Sequence, residues 1–205
     1  EGIGTGSVQL NEDGTKFITY ISSSQTLLQY QLISNNWELQ LTSSNIPMAG
    51  LGAVSEDFST IVGGGKVYNF TGTDWIESAT IDAIGGTATY VINDEGNVIL
   101  TSAEMNDNQS GIVRVFQKIN NSWSQMGDDI IGTEYLGRFG SRPALSDDGS
   151  AFVAGSICYE CIPYSGLVHM YEYVQQSWVL KGDPILLDIN NPVGYGWYFD
   201  ITDDG

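Results

Sequence analysis

The chain has 205 residues, which suits one domain or part of one, and a composition ordinary for a globular β protein. Its charge is not ordinary: 25 Asp and Glu stand against 7 Lys and Arg, a net charge of −18. Nucleic-acid binding rests on Lys and Arg neutralising phosphate, so nucleic acid and anionic membrane surfaces are excluded as partners, and no apolar run is long enough for membrane insertion. The acidity fits a soluble surface, cationic partners or a salty medium.

A four-strand pattern, a to d, repeats along the chain. The first unit opens with an apolar Leu10, an acidic turn at Glu12-Asp13-Gly14 and an apolar run at Phe17-Ile18, then an aromatic Tyr30, the polar stretch Ser34-Asn35-Asn36, and Trp37. The second runs Val54, Glu56-Asp57, Ile61-Val62, Tyr68, Gly72-Thr73-Asp74 and Trp75, with Phe58 in place of the turn glycine. The third runs Ile92, Asp94-Glu95-Gly96, Ile99-Leu100, Phe116, Asn120-Asn121-Ser122 and Trp123. The fourth runs Leu145, Asp147-Asp148-Gly149, Phe152-Val153, Tyr171, Gln175-Gln176-Ser177 and Trp178. Ile201 and Asp203-Asp204-Gly205 begin a fifth. Glu1 falls directly in a strand a and the sequence stops just after another, which reads as a processed chain or a segment of a longer protein.

Short apolar runs punctuated by Gly, Asn, Asp and Ser are strand signals, and no window sustains helical periodicity, so the fold class expected is all-β. The first three c–d connections have tight-hairpin chemistry; Gln175-Gln176 is a weaker signal. Four of the five tryptophans follow an aromatic partner by seven residues: Tyr30/Trp37, Tyr68/Trp75, Phe116/Trp123 and Tyr171/Trp178. A two-residue loop at Asn120-Asn121 sets Trp123 opposite Lys118 and diagonal to Phe116, close enough for the rings to touch. These pairs read as core between neighbouring sheets, with Trp123 and Trp178 largely buried; the alternative is a solvent-facing ligand platform.

The third and fourth units carry further marks. Gly111-Ile-Val-Arg-Val-Phe116, Trp123-x3-Gly127-x2-Ile130, Phe139-Gly140-Ser141, Ala144-Leu-Ser-Asp-Asp-Gly149 and Phe152-Val-Ala-Gly-Ser156 follow in order, then Gly166-Leu-Val-His-Met-Tyr171 and Trp178-x3-Gly182-x2-Ile185. This resembles the FG-GAP-like β-propeller repeats of secreted and cell-surface proteins, distantly similar to the integrin α-chain propeller. The first two units match loosely: Tyr20 replaces a small residue, Phe58 the turn glycine, and Leu41 stands where Gly127 and Gly182 stand later. The resemblance implies four-stranded antiparallel blades at about 5–47, 48–84, 85–136 and 137–190, with one strand of a fifth at 191–205. Such an array forms part of a larger ring or a small closed one.

Chemistry is sparse. Integrin-like blades carry calcium loops, but here that position holds only acidic doublets. Asp147, Asp148 and, in a b–c loop, Asp107 are weak calcium candidates, because calcium takes six to eight oxygen ligands. The expectation is no cofactor. Two cysteines, Cys158 and Cys161, are too few for structural zinc and lack a thioredoxin-like context; they read as a loop disulfide, which points outside the cytosol. Asn69, Asn108 and Asn120 begin sequons. A nucleophilic triad would have to use His169, the only histidine, which occupies in strand c the position of Arg114. The residues nominate no catalytic pair.

The function expected is therefore a non-catalytic extracellular or cell-surface module that is structural, in tandem or in a filament, with protein partners or self-association. The first alternative is an adhesion-type recognition propeller binding a protein or glycan, which the unequal b–c loops favour. The second is a glycan-acting hydrolase.

Overall fold

The computed structural model describes residues 8–48, 52–81, 84, 88–106, 109–133, 136–158, 165–186 and 200–202. The chain forms two compact units: Glu1–Asp82 with Asp94–Gly96, and Ala83–Asn93 with Asn97–Gly205. Among the described residues there is no helix.

The first unit holds two antiparallel sheets, each with its strands in sequence order. One consists of β1 (Val8–Leu10), β2 (Lys16–Ile21), β3 (Thr26–Ile33) and β4 (Asn36–Ser43). The other consists of β5 (Ala53–Val54), β6 (Thr60–Gly63), β7 (Lys66–Phe70) and β8 (Trp75–Thr80). The second unit holds a sheet of β9 (Thr89–Ile92), β10 (Val98–Ala103), β11 (Ile112–Ile119) and β12 (Ser122–Gln125), with β13 (Ile130–Ile131) also pairing β11. Its other sheet is β14 (Ser141–Leu145), β15 (Ala151–Cys158), β16 (Ser165–Val174) and β17 (Ser177–Leu180), with β18 (Ile185–Leu186) pairing β16. The fifth acidic doublet lies outside the described residues.

Burial falls from strand b to strand d. Every residue of β6 and of β10 is buried, whereas Asn36 to Gln40 in β4 are all exposed. Successive side chains of a strand point to opposite faces, so a strand apolar on both parities needs cover on both sides. In the first unit, Ile18, Tyr20 and Leu27 of the first sheet pack with Ile61, Tyr68 and Trp75 of the second. In the second unit, Val98, Leu100, Val113 and Val115 pack with Leu145, Phe152 and Ala154.

Glycine decides how strand d is built. Gly127 has φ +76° and breaks the strand after Gln125; the chain then returns to β11 at Ile130. Gly182, φ +77°, does the same before Ile185. Where Leu41 takes this place, β4 runs on and absorbs the irregularity as a bulge at Gln29/Tyr30. Two other departures from the repeat are compensated by burial. Phe58 adopts the left-handed φ of +58° and buries its ring in the core at 3% exposure. Tyr20 fits by placing its hydroxyl 2.7 Å from the Ile46 carbonyl, and it accepts the Met48 N–H at 3.3 Å.

The hairpin register is as the spacing requires: Trp123 lies opposite Lys118, and the paired positive φ at Asn120-Asn121 is that of a tight turn. Gln175-Gln176 makes the same turn, with φ of 50° and 66°. The aromatic pairs themselves are corrected. Tyr30 and Trp37 meet through Phe17 of strand b, which stacks on Tyr30 at 4.6 Å and meets Trp37 edge-on at 4.8 Å. Phe152 stands between Tyr171 and Trp178 in the same way, at 5.1 and 5.0 Å. Trp75 meets Phe70. Trp123 and Trp178 are intermediate in burial, Trp178 packed against the core of the second unit. Trp178 lies on the preceding sheet, donating its indole N–H to the Met126 carbonyl at 2.7 Å, over Gly127, where an added Cβ would stand 3.1 Å from its Cδ1. Trp75 lies against the first sheet with Leu41 and is 3% exposed, but its N–H has no partner among the described residues.

These environments rank the tryptophans. Trp75→Ala should cost about 3–5 kcal/mol, a typical figure for truncating a buried ring. Trp37→Ala, at a residue 43% exposed, should cost well under half of that. Urea unfolding of both variants checks the order; equal losses would contradict it.

Candidate functional site

The acidic doublets form one repeated device. A polar residue precedes each: Asn11, Ser55, Asn93 and Ser146. Its N–H donates to the carbonyl five residues on, at 2.9–3.0 Å in all four turns. Its side-chain oxygen accepts the N–H of that same residue: Lys16 at 2.7 Å, Thr60 at 3.0 Å, Val98 at 2.7 Å and Ala151 at 3.0 Å. The second acid then caps the far side. Asp13, Asp57 and Asp148 accept the N–H of Thr15, Ser59 and Ser150, each at 2.8 Å. In the third turn Asn93 accepts the Asn97 N–H at 3.0 Å. Neighbouring turns are also linked: the Glu56 carboxylate accepts the Glu12 N–H, and the Asp147 backbone carbonyl accepts from the Asn93 amide.

Burial would raise the Asp148 carboxyl, but hydrogen bonds from Ser150 and Ser146 outweigh it and hold it below the ordinary carboxylate range. Asp57 follows the same balance with Ser59 and Ser55. These oxygens are engaged in turn closure. Among the described residues no three His, Cys, Asp or Glu gather at metal distance, and Asp107 lies outside them.

A concave site does exist in the second unit. A cleft of about 220 Å³ runs between the ends of its two sheets, walled by Phe139, Leu167, His169, Tyr171, Leu180 and Pro184, with Ser110, Ile131–Thr133, Gly137 and Ser156 completing it. Backbone fit builds it. Phe139 forms a bridge with Gly111 and donates its N–H to the Ser110 carbonyl at 2.8 Å. A Cβ on Gly111 or Gly132 would overlap this segment. Gly140, φ +88°, fits against Ser102 and Val113.

Comparison of the two sheets explains why there is space. Arg114 makes a two-pronged ion pair with Asp129, at 2.7 and 2.8 Å. In the next sheet His169 stands for Arg114 and Pro184 for Asp129, two residues after the strand-breaking glycine. His169 Nε2 lies 3.0 Å from Ser156 Oγ, and its ring meets Phe139 edge-on at 5.4 Å. Burial pushes its imidazole below its ordinary value, so the ring is neutral at pH 7. No carboxylate bonds its second ring nitrogen among the described residues. Sequence reading matched His169 to Arg114 but missed the Pro184 exchange and Ser156; the x2 of the Trp-x3-Gly-x2-Ile motif held the signal.

Of the remaining candidates, Asn69 is half-buried in β7 and donates its amide to Thr60 Oγ1 at 2.9 Å, an awkward place for a glycan. Asn120 is exposed at its turn. Asn108 lies outside the described residues, as does Cys161; Cys158 ends β15.

No protein-family model matches the sequence. No curated protein matches it either. Solved structures do. The chain is similar to a candidate 6-phosphogluconolactonase from Bacteroides uniformis, with TM-score 0.57 and 15% identity, over 90% of this chain and 56% of that one. It is similar to the Cps50 (Swd1) β-propeller domain of Myceliophteria thermophila, with TM-score 0.55 and 13% identity, over 88% and 58%. TolB from Acinetobacter baumannii matches at 0.51 and 12%, over 85% and 43%. The fold is a β-propeller. At such identities the likeness shows the fold alone, not the FG-GAP-like family. The chain spans about half the length of these propellers, and each of its four sheets is a blade.

Two measurements test the electrostatics. Asp148→Ala should cost about 1–2 kcal/mol at neutral pH, since charged hydrogen bonds are lost. Because the folded-state value lies below the ordinary 3.8, that stabilisation is present above it and lost as pH falls through the folded value, so the difference from the unsubstituted chain should shrink below pH 3.8. His169 also has a lowered folded value: the unfolded chain takes up its proton first, so stability relative to His169→Gln should fall as pH drops through 6.5. Taking the difference between the two proteins cancels the general relief of charge repulsion.

Proposed function

We propose that the chain is a non-catalytic protein-interaction propeller that works outside the cell or at its surface, with the His169 cleft as its recognition site. The cleft carries this reading. It is concave, lined by aromatic and aliphatic side chains with a few polar atoms, the usual make-up of a recognition pocket. The carboxylates of Asp13, Asp57 and Asp148 close turns, each accepting the N–H two residues on. A displayed random-peptide library should yield apolar or aromatic peptides that bind the chain. Leu167→Asp should weaken them about tenfold or more, the loss of one well-placed contact. No enriched peptides, or peptides indifferent to Leu167→Asp, would overturn the assignment.

A hydrolase is the second reading, favoured by the 3.0 Å Ser156–His169 pair. Among the described residues the pair has no third group of the kind that orients such a base. Hydrolysis of 6-phosphogluconolactone and of p-nitrophenyl acetate should stay at the uncatalysed rate; saturable turnover lost in Ser156→Ala would establish the enzyme instead.

A further inference from the structure

The two blades of the second unit treat one position of the repeat in opposite ways. In blade three the Asp129 carboxylate accepts three hydrogen bonds: from Arg114 Nε at 2.7 Å, from Arg114 Nη2 at 2.8 Å and from Gln125 Nε2 at 2.8 Å. The strand register carries each member to blade four. Gln125 lies opposite Phe116 as Leu180 lies opposite Tyr171, and Ile130 lies opposite Val113 as Ile185 lies opposite Val168. His169 therefore stands for Arg114, Leu180 for Gln125 and Pro184 for Asp129, and all three line the cleft. The carboxylate of the repeat is gone from this place, while a basic side chain remains.

The wall of the cleft suits an acceptor. Its polar side chains are Ser110, Thr133, Ser156, His169 and Tyr171, each able to donate a hydrogen bond. Among the described residues no acid lines it, in a chain that has 25. His169 Nε2 is engaged with Ser156 Oγ at 3.0 Å, and Ser156, 8% exposed, fixes the ring; no described residue bonds Nδ1. The charged side chains flanking the wall are Arg138, which donates to Gln109 at 3.3 Å, Lys181, 3.7 Å from Glu172, and the exposed Asp183. The net charge of −18 repels an anion at long range, but that field is screened within about 8 Å at physiological salt. The 220 Å³ of the cleft lies below the roughly 300–1,000 Å³ of sites for drug-sized ligands and matches the bulk of a single residue.

We infer that the cleft takes the C-terminal residue of a partner protein, its apolar side chain against Phe139, Tyr171 and Leu167 and its terminal carboxylate at His169, in the place that Asp129 holds in blade three. This rests on the reading of the cleft as a recognition site and names what it recognises. A protein offers an apolar side chain and a carboxylate on one residue only at its chain end; an internal Asp or Glu brings the acid without the apolar group. Capture of a terminal carboxylate is an established mode of peptide recognition. The bound anion favours the charged imidazole, whose Nε2–H then donates to Ser156 and whose Nδ1–H donates to the ligand, so binding takes up one proton. In the free chain burial holds the ring below its ordinary 6.5. Affinity for the carboxylate is therefore greatest below the free value and falls as pH rises through the higher value of the complex.

The chain has a single histidine, so its imidazole can be followed directly by NMR while peptide is added. The probe is an N-acetylated tetraglycyl peptide ending in phenylalanine, as free acid and as C-terminal amide. At pH 6 the acid should bind about tenfold tighter than the amide, the worth of one charged hydrogen bond, and the advantage should shrink toward pH 8. Only the acid should raise the pKa of the imidazole. His169→Gln should bind acid and amide alike at every pH. Pro184→Asp, which returns a carboxylate to the place of Asp129, should raise the imidazole pKa without peptide and weaken the acid about tenfold or more. Hydrocinnamate, the same apolar acid without a peptide bond, should bind more weakly; binding as tight as the peptide would assign the cleft to small free acids and overturn the chain-end proposal. An amide bound as tightly as the acid leaves the cleft a recognition site and overturns this proposal. If neither peptide binds while library peptides do, this proposal falls alone; if none binds, the recognition reading falls with it.

Discussion

Strand b of each blade is apolar on both faces, and a single four-stranded sheet cannot cover both. That constraint forces blades to stack, and it sets what the other strands must be. Strand b is buried throughout in blades two and three, and strand d is the most exposed, leaving apolar Leu39, Ile76, Val179 and Leu180 at the surface, while Trp75 and Trp178 reach back to the preceding blade. The Trp178 contact shows how this reach is built: a strand-breaking glycine in one blade creates the floor for the indole of the next. In blade two, Trp75 lies in a core that also takes Leu41, is 3% exposed, and its N–H has no partner among the described residues.

Inside this frame, the repeat is free to vary at positions that neither stack nor turn. Arg114 with Asp129 and His169 with Pro184 are two fillings of one such position. The first is a closed ion pair. The second leaves a cleft with a neutral imidazole. A propeller can therefore gain a site without altering its strands, which is why the fold by itself says little about what the molecule binds.

Much of the architecture was legible because it is local. The acidic turns, the apolar strand b and the Trp123–Lys118 register follow from residues a few positions apart. Gln175-Gln176 was legible as a connection only by its place in the repeat, because the flanking strands impose the left-handed pair on residues with weak turn chemistry. Phe58 was not legible as a left-handed residue, because the burial of its ring compensates a backbone that its own chemistry disfavours. The aromatic pairs were legible as a register but not as contacts. Ring position depends on strand b: Phe17 and Phe152 bridge their pairs, while Ile61 and Ile99 hold the same place in blades two and three. The cleft was hidden for a related reason: it is a space left when two distant residues change together.

The turn device has a consequence for the whole molecule. Ten of the 25 acidic residues are the five doublets, and the second acid of three of them is held by the N–H groups it closes. Charge of this kind is set by geometry and is added in fixed instalments, roughly two negatives for each blade. Acidity then becomes an extensive property, growing with the number of repeats as mass does, and a longer array of the same units would gather a proportionally larger cloud of counter-ions without any selection acting on its surface.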